Sequence, residues 1–167
     1  MHPQFNTAMA LYHSFAWPQA IAAFKAIAAA DPTCGMAHWG VAMSLLGNPF
    51  VWPAGLTPQK LNEVAAALDA AKAAGLRTAR ERDYVDAVGG FVRDHASTPH
   101  AQRMLAYDAA MAQVAARNPA DKEAAILSAL STNVARAWRW IALLQPLCQV
   151  RFRTAFRTTV IGFMAIA

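Results

Sequence analysis

Residues 11–45 read LYHSFAWPQAIAAFKAIAAADPTCGMAHWGVAMSL, and the pattern of this stretch decides the fold class. Ala20, Phe24 and Ile27 recur at intervals of four and three residues, which places them together on one face of an α-helix. The Asp-Pro pair at 31–32 ends that helix, because proline disfavours the helical conformation in the residue before it. A second apolar stripe follows directly. The stretch therefore predicts two consecutive helices joined by a short break.

The same alternation of apolar helical stripes and short breaks continues along the chain. The breaks carry proline, glycine or asparagine, and no stretch shows the strict apolar and polar alternation that predicts a strand. A longer break over 47–57 contains Phe50 and Trp52, which predicts an ordered loop held by aromatic side chains. The helices are predicted at about 5–15, 18–30, 33–46, 57–75, 78–95, 98–117 and 121–132.

Helices of this length, joined by such short breaks, predict an all-α protein built from antiparallel helical hairpins. At 167 residues the chain is long enough for one domain with a sizeable core. We assign that domain to residues 1–134 and treat 135–167 as a separate tail, because the composition changes abruptly there.

The first predicted hairpin resembles a tetratricopeptide repeat (TPR). The signature of that family puts a small residue in the first helix, an alanine at the start of the second, an aromatic residue four positions later and a proline eight positions after that. In this chain Ala8, Ala20, Phe24 and Pro32 occupy those places. The chain departs from the signature at Ile27, where the family prefers a small residue, and it lacks the usual tryptophan of the first helix.

The stretches DPTCGMAHWG, RTARERDYVDAV and AYDAAMAQVAARNPADKEAAI look similar to a family of bacterial tetratricopeptide-repeat proteins of undefined biochemistry. The resemblance covers roughly residues 5–134. It implies an α-solenoid in which further helical hairpins follow, and many members of the family carry an export signal. We expect a cytoplasmic location if Met1 is the authentic start of the chain. If the natural chain starts elsewhere, the sequence does not indicate its location.

A stacked array of hairpins implies a protein- or peptide-binding scaffold, because the first helix of each hairpin lines a concave surface. Aromatic and methionine side chains on that surface are suitable anchors for an extended or helical segment. No cofactor is implied, and the partner is not identified by the sequence. The predicted binding residues are Phe5, Met9, Tyr12, His13, Trp39, Met43 and Leu46.

The net charge of +5 arises entirely after residue 134, since residues 1–134 contain as many basic as acidic residues. Nucleic acid is therefore not expected as a partner of the folded surface, and no apolar run is long enough for a membrane span.

We hypothesise that 135–167 is out-of-frame or otherwise aberrant sequence; the alternative is a genuine basic peptide that covers the open end of the array. Because the last helix has apolar residues around much of its circumference, we expect self-association through 120–167.

Catalytic chemistry finds little support in the sequence. Cys34 and His38 stand four residues apart at a helix start and could share a metal ion with His13, but a site requires three or four ligands. The more ordinary interpretation is that all three are structural. We therefore expect neither an enzyme nor a bound metal. The alternative is the N-terminal fragment of a metal-dependent, hydrolase-like enzyme whose site lies in a missing C-terminal half.

Overall fold

A computed structural model describes residues 3–48 and 56–136, and every regular element in these ranges is an α-helix. The prediction of an all-α protein is therefore confirmed for this part of the chain. None of the described helices is long and apolar enough to cross a membrane. The helices are α1 (Pro3–His13), α2 (Trp17–Ala30), α3 (Gly35–Leu46), α4 (Pro58–Ala74), α5 (Ala79–Val92), α6 (His100–Arg117) and α7, which covers 122–136.

Two of the helix starts are built by threonine side chains that act as caps. The Thr57 side chain accepts a hydrogen bond from the Lys60 backbone N–H at 3.2 Å and so begins α4. At the start of α5, Thr78 accepts from the Glu81 N–H at 3.1 Å, and the Glu81 carboxylate accepts from the Thr78 N–H at 3.2 Å. These reciprocal bonds form a capping box, which satisfies backbone donors that a helix start leaves unpaired.

Two helix ends differ from the prediction by three residues or more. Helix α5 stops at Val92 instead of continuing to residue 95, because Asp94 adopts a left-handed conformation with φ of 53°. Its carbonyl then accepts from the N–H groups of Ser97 and Thr98 in a tight turn. Helix α7 continues past 132 to 136, and Ala135 is buried. The predicted loop around Phe50 and the rest of the tail lie outside the described residues.

Each helix from α1 to α6 packs against the next one along the chain. In addition, α3 contacts both α1 and α5. Helix α7 joins α6 through the carboxylate of Asp108, which accepts hydrogen bonds from the hydroxyls of Ser131 and Thr132 at 3.1 and 2.8 Å. The buried side chains of all seven helices together form a continuous apolar core.

Phe24 occupies the junction of α1, α2 and α3 and is fully buried, as the hairpin packing predicts. The edge of its ring meets the Phe5 ring with the centroids 5.4 Å apart. On the other side, α3 presents Gly40, where an added Cβ would lie only 2.6 Å from the Phe24 Cζ atom. The absence of a side chain at residue 40 therefore lets α3 approach the ring of Phe24 closely.

We expect Gly40→Ala to lower the free energy of unfolding by about 1–3 kcal/mol, since the new methyl group must displace the Phe24 ring or the α3 backbone. The matched control is Gly90→Ala. Gly90 lies on the exposed side of α5, where an added Cβ would meet no atom within 4 Å, so alanine there should stabilise the helix by about 0.5–1 kcal/mol. Urea unfolding of both variants measures the difference, and equal effects would contradict the described packing.

The connection between α5 and α6 depends on a buried guanidinium. Arg103 donates to the backbone carbonyls of Phe91 and Thr98 at 2.7 and 3.1 Å, and its Cζ atom lies 5.1 Å from the centroid of the Phe91 ring. The His100 ring meets Phe91 edge-on at 5.6 Å. Burial, with a smaller contribution from the charge of Arg103, lowers the pKa of His100 to about 4. His100 is therefore neutral in the folded protein at neutral pH.

This neutral histidine makes the fold sensitive to acid. In the unfolded chain His100 binds a proton below about pH 6.5, whereas in the folded chain it does so only near pH 4. The stability that depends on keeping His100 neutral is therefore fully present above about pH 6.5, and it is lost as the pH falls towards 4. We expect the stability of His100→Gln to fall less steeply over this interval than that of the unmodified chain. Thermal unfolding at stepped pH tests this, and parallel curves would contradict it.

Candidate functional site

A cavity of about 940 Å³ opens among the helix ends. One side of α1 borders it along most of that helix, and the end of α2 and the starts of α3, α5 and α7 complete the lining. The chain places these ends together because short turns between consecutive helices return it repeatedly to the same side of the core.

Apolar side chains from three helices form one part of the lining. Phe5 and Met9 lie on consecutive turns of α1 and are half-buried, and Met36 at the start of α3 is half-buried as well. Below them Ile27 and Trp39 are almost completely buried. This part of the cavity is continuous with the core, because the partly buried Phe5 side chain packs against the core residues. An apolar group entering the cavity would gain contacts with large, partly solvated side chains.

The start of α7 is fixed to α5 by the carboxylate of Asp121. Its Oδ1 atom accepts from the Glu123 backbone N–H at 3.1 Å, which caps α7. Its Oδ2 atom accepts from the Tyr84 hydroxyl at 2.8 Å and from the Arg80 guanidinium Nε. The Arg80 guanidinium also lies over the Tyr84 ring, 5.1 Å from its centroid. One carboxylate thus holds three groups from two helices.

The electrostatics of this cluster keep its groups in one charge state at neutral pH. Burial alone would raise the pKa of Asp121, but its hydrogen bonds from Arg80 and Tyr84 outweigh burial and hold that pKa below its usual range. Burial raises the pKa of Tyr84, and the hydrogen bond to Asp121 raises it further. Asp121 therefore remains ionised and Tyr84 remains protonated. Neither group is poised for proton transfer near neutral pH.

A second polar contact joins α1 to α7 across the cavity lining. The His13 Nε2 atom lies 3.0 Å from Oε2 and 3.1 Å from Oε1 of Glu123, although the two residues are 110 positions apart in the chain. His13 ends α1 and Glu123 belongs to the first turn of α7. The first and the last described helices thus meet.

The seven residues predicted to bind a ligand occupy two different environments. Phe5, Met9, His13 and Trp39 line the cavity. Tyr12 is buried close to the carboxylate of Glu123, and burial raises the pKa of its hydroxyl with a smaller contribution from that carboxylate. The last two, Met43 and Leu46, are buried in the core and are not among the residues that line the cavity.

The residues considered as metal ligands do not form a metal site in the described structure. Among residues 3–48 and 56–136, no group of three or more histidine, cysteine or carboxylate side chains stands close enough to hold an ion. Cys34 is a half-buried free thiol that borders the cavity at the start of α3. The His13 imidazole, which sequence reasoning grouped with Cys34 and His38, pairs with Glu123 instead.

Sequence reasoning missed the polar part of the cavity. It singled out neither Arg80 nor Tyr84 as a site residue, and Asp121 was only the first residue of the last predicted helix. The Asn-Pro break before Asp121 predicts a helix start, but hydrophobic periodicity carries no signal for a contact between residues about 40 positions apart. The ion pair of Arg80 with Asp121 spans 41 positions.

Comparison of the chain with protein-family models, with curated proteins and with solved structures finds no match. The comparisons therefore supply no relative whose site residues could be carried over. What this site does has to be inferred from its own geometry and charges.

We expect Asp121→Ala to lower the free energy of unfolding by about 2–4 kcal/mol, because it removes a helix cap and two hydrogen bonds, one of them to a cation. The matched control is Asp86→Ala. Asp86 is 62% exposed and pairs with Lys72 at 3.2 Å, so its loss should change stability by less than about 1 kcal/mol. Urea unfolding compares the two variants, and an equal loss would show that Asp121 does not anchor α7.

Proposed function

We propose that this chain is a helical-repeat scaffold of tetratricopeptide type that binds a peptide or a protein segment in its cavity. The observation that carries the proposal is the cavity of about 940 Å³, bordered by half-buried apolar side chains and by charged side chains. This volume lies near the upper end of the range of about 300–1,000 Å³ typical of ligand pockets. It suits a short segment that buries one or two side chains.

The arrangement of the helices supports the repeat interpretation. In an array of stacked hairpins, the first helices of successive hairpins lie side by side and form the concave layer. Here α3 contacts both α1 and α5, α2 packs against α1 and α3, and α4 packs against α3 and α5, which supports such an arrangement. The start of α7 borders the cavity together with these helices, as the first helix of a fourth hairpin would.

The accessible anchors of the cavity are Phe5, Met9 and Met36. Each is half-buried, so each keeps surface that a ligand could cover. Methionine side chains adapt to partners of different shape, and aromatic rings supply large contact areas. Because such anchors stand beside charged groups, we favour a peptide segment, which offers both apolar side chains and polar backbone, over a purely apolar small molecule.

Selection from a phage-displayed library of random 12-residue peptides on the purified full-length chain tests the proposal. We expect enrichment of peptides with related sequences, and synthetic copies should bind in fluorescence polarisation. Met9→Lys should weaken their binding at least tenfold, because a charge then competes for the apolar part of the cavity, whereas the aliphatic stem of lysine preserves the packing of α1.

The matched control is Leu105→Lys, which puts the same charge on a partly exposed apolar position of α6 away from the cavity. We expect it to leave peptide affinity unchanged, and circular dichroism should show both variants folded. Failure to enrich any peptide, or peptides that bind Met9→Lys as well as the unmodified chain, would refute binding in this cavity.

A further inference from the structure

The carboxylates that line the cavity are already bound by groups of this chain. Glu81 accepts from the backbone N–H groups of Arg77 and Thr78 at 2.6 and 3.2 Å. Asp31 accepts from the N–H and the hydroxyl of Thr33 at 3.0 and 2.7 Å. The two carboxylates at the start of α7 are held by α5 and by α1, as described above. A basic ligand would have to compete with all these bonds.

The cations of the lining, in contrast, keep hydrogen-bond donors to spare. A guanidinium carries five N–H donors. Arg77 uses Nη2 to donate to the Thr33 hydroxyl at 2.6 Å, and the same atom lies 3.9 Å from Oδ2 of Asp31. Because the Arg77 side chain is 68% exposed, this ion pair is weak. Arg80 donates through Nε to Asp121, and within the described ranges its Nη groups have no acceptor. Lys122 is exposed and forms no ion pair with any described residue.

Three helix starts lie at the same cavity, and two of them, those of α5 and α7, are already capped by the carboxylates of Glu81 and Asp121. Residues at the N-terminal ends of α3, α5 and α7 all belong to the lining. Helix N-termini favour negative groups because their first N–H groups and the helix dipole point outwards. The start of α3 has no side-chain cap, since Cys34 at the cap position makes no hydrogen bond to the backbone of the helix.

The same cavity offers apolar contact on α1. Phe5 and Met9 lie one turn apart and keep accessible surface. A ligand that contacts both the apolar side chains and the hydrogen-bond donors of the lining must therefore combine an apolar side chain with hydrogen-bond acceptors. A carboxylate side chain is the strongest acceptor that a peptide can supply to guanidinium and ammonium groups.

We propose that the cavity selects acidic segments with an apolar anchor: the apolar side chain packs on Phe5 and Met9, and a neighbouring aspartate or glutamate pairs with Arg77 and Lys122. This inference rests on the proposed function, and it narrows the ligand from any peptide to one chemical class. The recognised carboxylate belongs to a side chain, so neither end of the segment has to be a free terminus.

An array of heptapeptides tests the inference directly. Each peptide is N-acetylated and C-amidated, carries leucine at its centre, and places two glutamate, two glutamine or two lysine residues at matched flanking positions. We expect the glutamate peptides to bind the full-length chain about threefold to fivefold more tightly than the glutamine peptides. A difference of this size corresponds to the energy of one or two partly exposed charge pairs. The lysine peptides should bind most weakly, and added salt should reduce the preference for glutamate.

The double variant Arg77→Gln/Lys122→Gln should bring the ratio of glutamate to glutamine affinities close to one. Its matched control, Arg82→Gln/Lys25→Gln, removes the same two charges from exposed positions outside the lining and should retain the preference. Circular dichroism melting of both double variants confirms that they are folded. Equal loss of the preference in both would show that net charge alone, and not the cavity, selects acidic peptides.

The outcomes separate this inference from the proposed function. If peptides bind and Met9→Lys weakens them, but the glutamine or lysine series binds as well as the glutamate series, the acidic preference is wrong and the scaffold function stands. If no peptide of any series binds, both proposals are overturned. A glutamate preference that depends on Arg77 and Lys122 supports both.

Discussion

The carboxylate of Asp121 is the interaction on which the shape of the cavity depends. One oxygen caps α7, and the other accepts from Arg80 and Tyr84 of α5, so the start of one helix is fixed to the side of another. Burying an ionised carboxylate is costly unless charge-assisted hydrogen bonds compensate it, and here two side chains and one backbone N–H do so. The same anchoring places Glu123, two residues further on, against His13 of α1.

The apolar part of the cavity depends on a different contact. Gly40 lets α3 pack directly on the Phe24 ring, and Phe5 then rests on the edge of that ring. The position of α1 relative to α3 follows from this packing, and so does the accessibility of Met9 on the same face of α1. The cavity is therefore an extension of the core on one side and a network of charges on the other. This duality is the physical basis for proposing a ligand that is both apolar and acidic.

One acid-sensitive point of the fold lies away from the cavity. His100 sits at the joint of α5 and α6 beside Arg103, and it takes up a proton in the folded chain only near pH 4. The pKa of Asp121 lies below its usual range. Its carboxylate is therefore still ionised through most of the pH interval in which the neutral state of His100 makes the fold less stable. Mild acid should therefore loosen the connection between α5 and α6 while the Asp121 carboxylate is still ionised.

The sequence by itself determined the helices, because apolar periodicity and capping residues act within a few positions of one another. The Thr78 cap and the burial of Phe24 were both predictable on that basis. Only the tertiary structure decided which of the predicted binding residues meet: Phe5 and Met9 border a cavity, whereas Met43 is part of the core. The polar part of the site was not predictable, since it joins side chains from helices far apart in the chain and local patterns do not encode such contacts.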